Sequence, residues 1–138
     1  MELISSDAPK DMPNSAAMLT RLQAIMSDDV GPLRTASGLR RALASIDQID
    51  SELGDRPFGD GGAFDMQRLD WFDLRNMLTV ARTVAQAASL RTESRGAHQR
   101  EDFPGMLPQW RVNQQIRLDT KGLKIDQVPA SPIEVAAQ

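Results

Sequence analysis

Leu90-Arg91-Thr92-Glu93-Ser94-Arg95-Gly96-Ala97-His98-Gln99-Arg100-Glu101-Asp102-Phe103-Pro104 divides the chain into two regimes. Before it, apolar residues recur at every third or fourth position; after it, they alternate with polar ones. The first is the period of an amphipathic helix and the second that of a half-buried strand. The stretch itself holds the single histidine of the protein and sets three arginines against three acids, so it is locally neutral. Gly96 fits the hinge between the regimes as a left-handed cap of the preceding helix, because glycine reaches positive φ without the crowding a Cβ brings. Pro104 then stops helix from resuming, since it has no N–H and biases Phe103 toward extended backbone.

Working upstream, the clearest helix covers residues 69–94, with Trp71, Leu74, Leu78, Ala81, Ala85 and Ala88 on one face and Met77 and Val84 widening it. Its alanines imply close approach to other helices. A second helix is expected over residues 33–53, with a stripe of Leu39, Leu43, Ile46 and Ile49 or Leu53, ended by Gly54. A first begins at a cap, Asn14 or Ser15, and places Met18, Leu19, Leu22, Ile25 and Met26 together before Val30-Gly31-Pro32 breaks it. Three such helices joined by connectors predict a small up-down-up bundle.

Downstream, Trp110, Val112, Gln114, Ile116 and Leu118 alternate with Arg111, Asn113, Gln115, Arg117 and Asp119. Asp119-Thr120-Lys121-Gly122 reads as a turn, and Leu123, Ile125 and Val128 as a returning strand. A lone hairpin is marginal in water, so this one needs the bundle or another chain to lie against. The fold class is therefore mainly α: a three-helix antiparallel bundle followed by a small β-hairpin and extended C-terminal segment. Residues 1–13 read as a mobile or docking arm, 14–104 as the bundle closed by an Arg-Gly-x-His turn, and 105–138 as hairpin and loosely ordered tail.

The chain has 138 residues, 41% of them hydrophobic and 25% charged, which is ordinary for one globular domain. Only 4% are aromatic and there is no tyrosine, so the core rests on aliphatic residues with Trp71 and Trp110 as larger anchors. A net charge of −3 argues against nucleic acid as partner, which requires a basic stripe to displace counterions. With no cysteine there is no disulfide, thiolate zinc site or cysteine-ligated cluster in this chain. No apolar run is long enough for membrane insertion, and residues 1–13 lack a signal-peptide pattern, so a cytoplasmic protein is expected.

The chemistry-bearing residues each have a simpler role. The glycine-rich loop 54–62 has no preceding strand and no following P-loop lysine, so it is a connector rather than a phosphate cradle. Ser94 and His98 stand four apart, but Gly96 between them signals the helix end and no third group orients the imidazole. One histidine without cysteine makes a poor zinc site. Glu101 and Asp102 are adjacent and face opposite ways in extended backbone, unlike a glycosidase pair. Arginines and acids interleaved over residues 91–102 instead make a network of ion pairs and helix caps. That network either fixes the helix-to-strand transition alone or also serves an interface.

The strings Asn76-Met77-Leu78-Thr79-Val80-Ala81-Arg82, Arg91-Thr92-Glu93-Ser94-Arg95-Gly96-Ala97-His98 and Arg100-Glu101-Asp102-Phe103-Pro104 resemble the C-terminal helical domain of succinate dehydrogenase and fumarate reductase flavoproteins. L-aspartate oxidase and adenylylsulfate reductase are related. A further trace of the pattern lies around Asp28-Asp29-Val30-Gly31, and the likeness runs from about residue 19 to about residue 128. The family's FAD-binding and capping domains have no counterpart here. The resemblance implies hydride transfer at a flavin held elsewhere, with no catalytic, cofactor-binding or metal residue in this chain. It implies an assembly role, structural or at a partner interface, for Arg91, Glu93, Arg95, Gly96, His98, Arg100 and Asp102. Arg95, His98 and Arg100 are expected to fan outward toward that partner. The expectation is a small C-terminal-domain subunit, rather than an excised fragment, of a two-chain dehydrogenase or reductase whose FAD-binding large subunit is the partner. The alternative is a non-enzymatic helical module that binds or regulates another protein.

Overall fold

The computed structural model describes residues 14–59 and 61–131 of the chain. The expected arm over residues 1–13 and the end of the expected tail lie outside the described residues. Three helices come first: α1 (Ser15–Asp29), α2 (Ala36–Leu53) and α3 (Met66–Leu90). Two short strands, β1 (Leu33–Arg34) and β2 (Gln99–Arg100), precede α2 and follow α3, and the hairpin strands β3 (Val112–Asp119) and β4 (Gly122–Pro129) complete the order.

Each helix starts at a side chain that accepts from an otherwise unpaired first-turn amide. Asn14 takes Ala17 N–H, Thr35 takes Gly38 N–H and Asp65 takes Arg68 N–H. Such caps are each worth about 1 kcal/mol. Two of them relocate expected starts: α2 begins at Ala36 rather than 33, and α3 at Met66 rather than 69. The Asp65 carboxylate also accepts from Gly61 N–H at 2.9 Å, so an amide of the glycine-rich loop is tied to its own helix start.

Cross-links show the helix directions. Arg21 near the start of α1 pairs with Glu52 near the end of α2, while Asp29 at the end of α1 meets Arg41 of α2. Asp50 and Asp47 of α2 bond Arg75 and Arg82 of α3 in reverse order. The bundle is therefore up-down-up. Its centre is Leu39, Ala42, Ile46, Ile49, Leu78 and Ala85, all at 1% exposure or less, with Trp71, Leu74, Met18 and Leu22 around them. Trp71 satisfies its indole N–H on Leu53 O at 3.3 Å.

Leu43 is only half-buried, beside the fully buried Ala42; it packs against the core and also lines a cleft with Leu90, Leu123 and Ile125, at the seam between bundle and hairpin. Met77 and Val84 do not widen the buried face either: both are exposed, at 44% and 39%. The hairpin pairs Val112 with Pro129 through Asp119 with Gly122, as alternation requires. Gln114 Nε2 donates to Ala87 O at 3.1 Å, fixing it to α3. Among the described residues no helix is long and apolar enough to cross a membrane.

The arginine–glutamate knot

The segment between α3 and the hairpin folds into a knot centred on Glu93, which has 0% exposure. One carboxylate oxygen accepts from Arg91 and from Arg95 Nε; the other accepts from Arg95 Nη2 at 3.2 Å and from Leu107 N–H at 2.8 Å. Those donors, Arg95 foremost, hold the Glu93 carboxyl down at about 2 despite its burial. Arg91 reaches on to Trp110 O at 3.2 Å and Val112 O at 2.7 Å, and its guanidinium lies over the Trp110 ring. Glu93 therefore joins the end of α3 to the root of the hairpin through Arg91.

Arg100 performs a different task. It is 2% exposed, and its Nη1 donates toward Ala88 O, Ser89 O and Arg91 O at 3.0, 3.1 and 3.2 Å. These are carbonyls at the C-terminal end of α3, where the helix dipole is negative. Its other edge grips Asp102 through Nε and Nη2, both at 2.8 Å. Asp102 in turn accepts Ala36 N–H at 3.1 Å, in the first turn of α2, where the dipole is positive. One ion pair thus bridges opposite poles of two helices, and Arg100 holds the Asp102 carboxyl at about 2. The expectation that Arg100 fans outward is overturned: the guanidinium points into the molecule, because the carbonyls that α3 leaves unpaired lie there.

Gly96 does have a left-handed φ of 57°, yet it caps no helix. α3 ends at Leu90 with Arg91 as its cap, and Gly96 sits in a tight turn closed by mutual hydrogen bonds between Arg95 and His98. The Ser94 hydroxyl accepts from Arg100 N–H at 2.8 Å and faces Arg100 O and Phe103 O, so it serves the backbone of the turn. His98 is oriented after all. Its Nδ1 accepts from Arg34 Nη1 at 2.6 Å, leaving Nε2–H to donate to Arg91 O at 3.1 Å. Burial, then the surrounding guanidinium groups, lowers the imidazole below its ordinary value of 6.5.

Arg34 is the residue that reading the sequence missed. It arrives from β1, which pairs in parallel with β2 through Leu33 with Gln99 and Arg34 with Arg100. The available signal was the position of Arg34 three residues after the helix-breaking Gly31. The seven expected residues do come together, with Arg34 and Ser94 added to them. Arg91, Arg95 and Arg100 of the knot are committed to carboxylates and carbonyls, and the described residues contain no strand–glycine-turn–helix unit of the kind that holds a dinucleotide pyrophosphate.

Comparison with known proteins agrees with this architecture. A family model described as Fumarate reductase flavoprotein C-term matches residues 19–134. An uncharacterized FAD-dependent oxidoreductase of Methanocaldococcus jannaschii is 40% identical over 70% of this chain and 17% of its own length. An L-aspartate oxidase of Rhodospirillum rubrum is 40% identical over 73% of this chain and 31% of its own. In a solved structure of the Mycobacterium smegmatis Sdh1 complex in the apo form, one chain superposes with a TM-score of 0.74 at 28% identity. That alignment covers 92% of this chain and 22% of the other. The chain thus spans less than a third of the length of these relatives. By the extent of the match and the fold it shares, the chain belongs to the family of the C-terminal region of fumarate reductase flavoproteins.

Proposed function

We propose that this chain is the small, C-terminal-domain subunit of a two-chain FAD-dependent dehydrogenase or reductase, completing a separate chain that carries FAD and the active site. One observation carries the reading: the family match runs over residues 19–134, whereas the same domain is 17% to 31% of the curated relatives. A domain that its relatives carry within a much longer flavoprotein chain implies a surface made for the rest of that protein. Leu33 and Met106 at 67% exposure and Phe103 at 38%, all on or beside the knot, supply apolar area of that kind. Catalysis falls to the larger chain, and this one stabilises it by burying its exposed flank. Its substrate would be a small carboxylate where the larger chain follows succinate dehydrogenase or fumarate reductase. The complex is assigned to the cytoplasm.

The test is co-expression of this chain, affinity-tagged, with the FAD-binding chain from the same source. Recovery of flavin in proportion to the tagged chain is the expected result. A tagged chain recovered alone and colourless, while the flavoprotein folds and stays soluble, overturns the subunit assignment.

A further inference from the structure

The arginines withdrawn from solvent follow one rule, with an exception. Arg75, Arg82, Arg91, Arg95 and Arg100 are each at least half-buried and each meets a carboxylate. Arg34 is half-buried as well, yet it forms no ion pair among the described residues. Nor is its side chain loose. Nε donates to Gly31 O at 2.8 Å and toward Val30 O at 3.3 Å, and Nη1 donates to His98 Nδ1 at 2.6 Å. Nη2 meets no acceptor among the described residues. The neighbouring charges do not answer it either: Glu93 is shared by two arginines, and Asp102 is gripped by Arg100. Glu101, whose amide bonds Arg34 O at 2.9 Å, is exposed and joins no ion pair among the described residues.

A guanidinium held rigidly at Nε and Nη1 and open at Nη2 is a pre-set donor for a carboxylate oxygen, because the ordering of its long side chain is already complete. Leu33, 67% exposed, lies next to it in β1, and apolar residues beside an arginine are the composition of an interface centre. We propose that Arg34, positioned by His98, is the anchor that receives an acidic side chain of the chain on which this domain packs. The assignment rests on the subunit reading above and names its contact. The occupant is a protein carboxylate: the site offers the free Nη2 of one charged guanidinium, which suits an anionic oxygen acceptor, and it is flanked by apolar surface that a protein partner would cover.

The test has two arms. In the first, the full chain alone is titrated with acetate against chloride at equal ionic strength, and the ring nitrogens of its single histidine are followed by NMR. A saturable shift specific to acetate is expected, and Arg34→Gln abolishes it. An acetate response equal to that of chloride, or one that survives Arg34→Gln, overturns the anchor. In the second arm the affinity for the FAD-binding chain is compared between wild type, Arg34→Gln and Arg34→Lys. Loss of one partner of a desolvated charge pair weakens binding at least about 30-fold. Arg34→Lys, which keeps the charge without the planar guanidinium, falls between and serves in place of Arg34→Gln if the latter lowers the melting temperature. A complex that forms but ignores Arg34→Gln overturns the anchor and leaves the subunit reading intact. If the first arm succeeds and no complex forms with wild type, the subunit reading fails and with it the protein identity of the occupant.

Discussion

Glu93 matters more to this fold than any acid on the bundle surface, because two arginines and an amide converge on a carboxylate that water does not reach. Breaking a buried pair from one side leaves the remaining charge uncompensated, so Glu93→Gln should destabilise the chain by about 3 kcal/mol in urea unfolding at neutral pH. Exposed pairs such as Arg117 with Asp126 contribute only about 0–1 kcal/mol each, and Asp126→Asn serves as the control. Acid should act on the same residues. Glu93 and Asp102 are held at about 2 in the folded chain, below their ordinary 4.5 and 3.8. A depressed carboxyl contributes its full stability above its unfolded value and loses it as pH falls toward the folded one. The midpoint of urea unfolding should therefore drop between pH 4.5 and 2, and less steeply in Glu93→Gln. Gly96 offers a third check. A Cβ there meets nothing within 4 Å, so Gly96→Val tests its φ of 57° alone and should cost about 1–2 kcal/mol. An unchanged melting temperature would show that the turn does not need the left-handed conformation.

Elements show where the sequence was legible and where it was not. The hairpin and the buried faces of all three helices could be read, because Trp71 through Ala88 and Trp110 through Leu118 keep their periods over many residues. The end of α3 could not. Arg91, Thr92 and Glu93 are compatible with helix, and Gly96 stands where a glycine cap is expected, so local rules run the helix on to residue 94. What ends it at Leu90 is Arg100 folding back onto the last carbonyls, a contact that no local pattern reveals. β1 was hidden for a similar reason. Two residues carry no period, and its partner β2 lies beyond two helices in the chain. Because Arg100 is an internal cap, Arg100→Ala should lower the stability of this chain by about 3–5 kcal/mol and loosen the last turn of α3 in amide exchange. Arg100→Lys keeps the charge without the double grip on Asp102 and should rescue only part of the loss. Loss of partner binding without loss of stability would return Arg100 to the surface.

At the scale of the whole molecule, the knot gathers the ends of all three helices and the root of the hairpin into one corner. Arg91 binds the root of the hairpin, Arg100 and Asp102 join α3 to α2, and His98 holds Arg34 at the junction of α1 and α2. Such a corner is rigid before any partner arrives, so packing against it requires little further ordering. Around it stand Leu33, Phe103 and Met106, which this chain leaves exposed. A subunit that covers a flank of a flavoprotein should make that flavoprotein harder to unfold, since whatever binds only the folded state stabilises it. The most direct measurement is the temperature at which the FAD-binding chain releases its flavin, followed by flavin fluorescence with and without an excess of this chain. The release temperature should rise with wild type and rise much less with Arg34→Gln. A release temperature that is the same with and without this chain, at concentrations where both are folded, would contradict the assignment.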